Sequence, residues 1–205
     1  MLNVSLLPHT LEDMSTARTH FREALSLLSN LIEDEAFISS LDSASETLSS
    51  CLKSGGKILS CGNGGSMSDA MHFAEELSGR FREDRSAYAA IALSSPAHIT
   101  CVANDYGFDK IFSRGIEALG RPGDVLLAIS TSGNSPNILE AARTASDKGM
   151  KVLALTGGNG GELASLCDYE IRIPWDGYSD RVQEMHIKCI HAMIDSIERS
   201  FISNS

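Results

Sequence analysis

Residues 57–77 read KILSCGNGGSMSDAMHFAEEL, and their order of residue types decides the fold. A short apolar run, KILSC, stops at a glycine-rich turn, GNGGS, and a helix-like pattern follows. That is a strand entering a helix through a tight turn. The same order recurs downstream. YAAIAL (88–93), DVLLAIS (124–130), KVLALT (151–156) and YEIRIP (169–174) are further short apolar runs. SMSDAMHFAEELSGRF (66–81), PNILEAARTASDKGM (136–150) and GELASLC (161–167) are the helix-like stretches between them. Strands alternating with helices predict a three-layer α-β-α sandwich around a five-stranded parallel sheet covered on both faces.

Outward from this core, DMSTARTHFREALSLLSNLIED (13–34) and EAFISSLDSASETLSSCLKSGG (35–56) carry apolar residues at helical spacing. The first has them at Phe21, Ala24, Leu25, Leu28, Leu31 and Ile32. The second stops at Gly55–Gly56, a helix terminator. These predict an N-terminal helical arm over 1–55, ahead of the α/β unit at 56–205. Their apolar faces either cover the sheet or serve assembly. The amphipathic stretch SDRVQEMHIKCIHAMIDSIERSF (179–201) predicts a closing helix.

The bulk numbers narrow the function. The 205 residues carry 17 Lys and Arg against 27 Asp and Glu, a formal charge of −10. Nucleic acid and anionic membrane surfaces are poor partners for so acidic a chain. No apolar run is long enough to span a bilayer, and the first residues, MLNVSLLPHTLEDM, lack a secretory pattern. Five widely spaced cysteines, Cys51, Cys61, Cys101, Cys167 and Cys189, form no CxxC pair and predict reduced thiols in the cytosol.

Ligands of open parallel sheets bind at the carboxyl ends of strands. Two loops there suit a phosphate: GNGGS after the first strand, and STSGNS (130–135). Both offer free backbone N–H groups, hydroxyls and a helix N-terminus. Turn chemistry alone also produces such loops. Neither has the GK[ST] ending of a nucleotide loop nor GxGxxG spacing. His72 and Glu76 follow the first loop at i, i+4, on one helix face, a spacing that by itself is usually a solvated surface contact.

CGNGGS, DAMHFAEEL, VANDYGF, GDVLLAISTSGNS and DRVQEMHIKCIH, in this order, resemble the phosphoheptose isomerase family of the sugar-isomerase (SIS) group. The resemblance implies a flavodoxin-like sheet, a cytoplasmic homotetramer with active sites at subunit interfaces, and a zinc ion in some members. It implies ketose–aldose isomerisation of sedoheptulose 7-phosphate for the heptose of lipopolysaccharide. Enediol chemistry needs a carbon base and an oxygen acid; the resemblance points to Glu76 as base and His191 as acid. The metal ligands it implies are His72, Glu76, Gln183 and His191. The substrate contacts it implies are Asn63, Gly64, Gly65, Glu76, Asn104, Asp105, Ser130, Thr131, Ser132, Ser135 and Gln183. Arg80, read as one turn past Glu76, complements phosphate or pairs on the surface. Ser66 caps a helix or meets ligand, and Asp180 orients a neighbour or caps the last helix. Some SIS-group proteins instead bind a replication initiator without catalysis. Such an adaptor needs none of the four residues His72, Glu76, Gln183 and His191.

Overall fold

The computed structural model describes residues 15–202. The N-terminal stretch lacking a secretory pattern therefore lies outside the described residues. Two helices come first, α1 (Thr16–Glu33) and α2 (Glu35–Lys53). Asp34 between them accepts from the Ala36 and Phe37 backbone N–H groups and so caps α2. Then follow β1 (Ile58–Gly62), α3 (Gly65–Ser78), β2 (Ala90–Ala92), α4 (Pro96–Tyr106) and α5 (Ser113–Leu119). The chain continues through β3 (Val125–Ser130), α6 (Pro136–Asp147), β4 (Lys151–Gly157), β5 (Tyr169–Ile173) and α7 (Ser179–Ile202).

All four strand pairings are parallel, in the order β2-β1-β3-β4-β5. This is the doubly wound, flavodoxin-like order, and its crevice lies between β1 and β3, where the winding reverses. Successive strand residues serve opposite layers. Ile58, Leu127, Ile129 and Leu153 pack under α2, α3 and α7, with Leu48, Phe73 and Ile190. Leu59, Leu126, Ala128 and Val152 face the other way, with Val102, Ile116, Ile138 and Ala142 of α4, α5 and α6. Apolar burial on both faces is why the central strands read as unbroken apolar runs.

The expected three-layer sandwich is therefore present, with local differences. The run 88–93 contributes only three strand residues, because β2 is an edge strand paired on one side. GELASLC forms a single 3₁₀ turn, Glu162–Ser165, too short to cover the sheet. Helices α4 and α5 were not anticipated. Helix α3 ends at Ser78, and Gly79 follows, so Arg80 lies beyond the helix rather than one turn past Glu76 on it. Among the described residues no helix is long and apolar enough to cross a membrane. All five cysteines are free; Cys51, Cys61 and Cys189 are buried, and Cys101 is exposed.

Candidate active site

The glycine-rich turn delivers the chain from β1 into α3. Gly64 stands at the N-cap with φ +55°, a left-handed conformation that glycine adopts without strain. Ser66 is buried inside the first turn and its side chain does not cap the helix. The Asn63 carboxamide is engaged across the crevice. It donates to Asn137 Oδ1 (2.8 Å) and accepts from Asn137 Nδ2 (2.9 Å), a reciprocal pair tying the loop after β1 to the start of α6.

The second loop follows β3. Ser130 Oγ donates to Ser135 Oγ at 3.3 Å, and the Ser132 hydroxyl accepts from the Asn134 N–H at 3.2 Å. Gly133 has φ +63°, and a Cβ there would lie 1.9 Å from the Gly160 carbonyl oxygen, so only glycine lets the two loops touch. Ser135 precedes Pro136 at the N-terminus of α6, and its hydroxyl makes no capping bond. Thr131 and Ser132 line a shallow cavity of about 410 Å³ with Gly157–Asn159 and Trp175–Gly177. Thr131 and Ser132 thus face this opening, whereas Ser130 and Ser135, bonded to each other, do not line it.

The catalytic candidates lie along the seam between α3 and α7, which run side by side in the same direction. At its start, Gln183 packs on Gly65 so closely that a Cβ would lie 2.7 Å from Oε1. Further along, His72 Nε2 lies 2.9 Å from His191 Nε2 and 3.5 Å from Glu76 Oε1. The His72 and His191 rings meet edge to face, with centroids 5.1 Å apart. Phe81 also packs on His191, tilted by 37°, with a centroid separation of 5.6 Å. Burial holds the His191 imidazole below its usual pKa, His72 adds to this, and Glu76 opposes it.

Glu75 Oε1 stands 3.2 Å from His72 Nδ1. A carboxylate there favours the ring proton on Nδ1, leaving a lone pair on Nε2 turned toward His191 and Glu76. His72, Glu75 and Glu76 each present a ligand atom within 4.8 Å of the others. Imidazole nitrogen and carboxylate oxygen are zinc donors, so these residues fit such an ion. Gln183 sits at the other end of the seam, beside Gly65.

Residues 19–157 match the family described as SIS domain. The chain is 57% identical over 188 residues to the phosphoheptose isomerase of Cytophaga hutchinsonii, covering 92% of this chain and 98% of that one. It is 56% identical over 182 residues to that of Pectobacterium atrosepticum, covering 89% and 94%. The chain belongs to the phosphoheptose isomerase family. The solved phosphoheptose isomerase of Neisseria gonorrhoeae superposes with a TM-score of 0.84 at 41% identity, over 93% of this chain and all of that one.

Within this family member, the seam brings together His72, Glu76 and His191, and the β1 turn brings Gly65 to Gln183. Asn104 and Asp105 stand apart from these contacts, in the last turn of α4, where the Asn104 amide donates to Asp105 Oδ1 at 2.7 Å. Asp180 accepts from the Arg181 N–H at 2.8 Å in the first turn of α7. Sequence reasoning missed Asp69. It lies one turn before His72 on the face shared with Gly65 and Glu76, and its Oδ2 is buried without a partner. Burial pushes its carboxyl up to about 6, against the pull of His72. Its i, i+3 and i, i+7 spacing to His72 and Glu76 was the available signal.

Proposed function

We propose that this chain converts sedoheptulose 7-phosphate to D-glycero-D-manno-heptose 7-phosphate, with Glu76 as carbon base and His191 as oxygen acid, in the supply of heptose for lipopolysaccharide. The observation that carries the reading is the meeting of Glu76 and His191 through one nitrogen, His72 Nε2.

The Glu76 carboxylate takes a proton from C1 of the ketose while His191 gives one to the C2 carbonyl oxygen. The enediol results. Glu76 returns its proton to C2, and His191 takes the O1 hydroxyl proton as the C1 carbonyl forms. No proton is gained or lost overall. The phosphate rests on Ser130, Thr131, Ser132 and Ser135, and the sugar hydroxyls meet Asn63, Gly64, Gly65, Gln183, Asn104 and Asp105.

Zinc is part of the proposal, held by His72, Glu76 and His191; Gln183, beside Gly65 at the other end of the seam, would join them only on an ion lying between it and His191. Bound there, it would polarise the substrate oxygens as a Lewis acid. Elemental analysis of the purified protein, and a zinc-dependent rise in melting temperature that His72→Ala abolishes, test the site independently of turnover.

A homotetramer with shared sites completes the reading. Phe21, Leu25 and Ile32 on α1 are exposed apolar side chains suited to burial between copies. Light scattering measures the assembly.

The deciding experiment is incubation with sedoheptulose 7-phosphate and detection of the aldose. Aldose formation that Glu76→Gln removes supports the reading. No aldose, or full activity in Glu76→Gln, overturns it.

A further inference from the structure

Helix α3 carries Glu76 in its last turn but has no basic residue there to meet its C-terminal carbonyls. The cation comes from outside. Arg85, in the segment leading to β2, turns its guanidinium back onto that end. Nη2 donates to the Glu76 carbonyl at 2.7 Å, and Nη1 donates to the carbonyls of Leu77 (2.8 Å) and Gly79 (3.1 Å). A positive group on these oxygens satisfies acceptors that the helix leaves open and opposes the negative end of its dipole.

The same guanidinium reaches the other helix of the seam. Arg85 Nε donates to Glu198 Oε1 at 2.8 Å, with the two side chains only 12% and 8% exposed. Glu198 lies two turns after His191 on α7, on the same face. The Arg85 guanidinium also covers the Tyr88 ring at 4.2 Å, and Tyr88 stacks on Phe201 of α7 at 4.5 Å. One planar fork therefore grips the backbone of the proposed base and, through Glu198, the helix that bears the proposed acid. A lysine offers a point charge and not this geometry.

We propose that Arg85, with Glu198, is a positioning residue for the isomerisation: it sets the placement of Glu76 against His191 while touching neither substrate nor reacting atoms. The proposal rests on the Glu76–His191 reading above. The phosphate loop lies elsewhere, on β3 and α6, so substrate affinity is largely independent of this rivet.

The test is steady-state kinetics of the full-length assembled protein with sedoheptulose 7-phosphate, well below the melting temperature. The variants are Arg85→Met, Arg85→Lys and Glu198→Gln. A misplacement of reacting groups by about 1 Å costs up to about 10²-fold in rate, so kcat of Arg85→Met is expected to fall about 10- to 100-fold with KM within about 3-fold. Arg85→Lys recovers part of that loss. Lys57→Met is the control for stability alone. It breaks the Lys57–Asp124 pair at the amino ends of β1 and β3 and is expected to lower the melting temperature with kcat unchanged. Should Arg85→Met fail to fold, Glu198→Gln is read by the same criterion. Unchanged kcat in folded variants, or a rise in KM that matches the fall in kcat, overturns the positioning role. Failure of the isomerase reading is distinguishable: wild-type protein is then inactive or Glu76→Gln is fully active, and the positioning role falls with it.

Discussion

His72 Nε2 and His191 Nε2 approach to 2.9 Å across 119 residues of sequence, fixing the register of α3 against α7. One turn beyond His72, Glu76 is 17% exposed at its side chain, half-withdrawn from water but open to a ligand. A carboxylate so placed keeps access to a carbon acid while shedding part of its hydration.

Replacing Glu76 with glutamine removes the base and keeps the shape. Turnover of sedoheptulose 7-phosphate should drop by about 10²- to 10⁴-fold, the usual contribution of a positioned general base. The melting temperature should stay within a few degrees of wild type. Kinetics and a thermal melt on the same preparation check both halves.

Ser135 presents a hydroxyl that caps nothing and accepts from the Ser130 hydroxyl at 3.3 Å. A hydrogen bond to a charged group contributes about 1.5–3 kcal/mol, so Ser135→Ala should raise KM for the phosphorylated sugar by about 10- to 100-fold. Inhibition by inorganic phosphate should weaken in parallel, while kcat changes little. Equal inhibition of both proteins by phosphate would remove Ser135 from the anchor.

Much of this arrangement was legible in the sequence, for identifiable reasons. Strands β1, β3 and β4 are buried on both faces, so they read as apolar runs whatever their partners. Helix α4 was missed because only Val102 of its residues is buried, which leaves almost no apolar stripe. Its start was nevertheless signalled by Ser95 and Pro96, a cap followed by proline at the first helical position. Glu76 and His191 were legible by resemblance, but their connection through His72 was not, since nothing local encodes the register of two helices. Asp69 looked like any solvated helix carboxylate until the fold buried one of its oxygens. Arg85 was invisible for a similar reason: its partners are backbone carbonyls and a glutamate 113 residues away.

The Asn63–Asn137 pair spans the crevice between β1 and β3, and Asn137 is 1% exposed. Asn137→Ala leaves the Asn63 amide half-satisfied and opens a gap beneath the turn. Urea unfolding should show a loss of about 1–3 kcal/mol, the range for a buried group deprived of its partner. KM should also rise, because Gly64 and Gly65 follow Asn63 directly. A stability loss with unchanged KM would mean that the turn keeps its shape without the amide pair.

His186 supplies the acid limb of the stability profile. Its Nε2 donates to the Thr156 carbonyl at 2.9 Å, the ring is fully buried, and Nδ1 has no partner. Burial pushes the imidazole down to about 4 from an ordinary value of 6.5, and the Thr156 bond opposes this only in part. The unfolded chain therefore binds a proton near pH 6.5 that the folded chain refuses until near pH 4. Stability is intact above the higher value and is lost as pH falls through this window, by about 2 kcal/mol between pH 7.5 and 5. Asp69 acts in the opposite sense: its raised carboxyl takes a proton in the folded state first, which favours folding as pH drops through about 6. The wild-type slope is thus a sum in which His186 and His191 act in one direction and Asp69 in the other. Comparison with His186→Gln separates them: urea unfolding of wild type should weaken relative to the variant as pH is lowered, and parallel profiles would show that His186 does not titrate in this window.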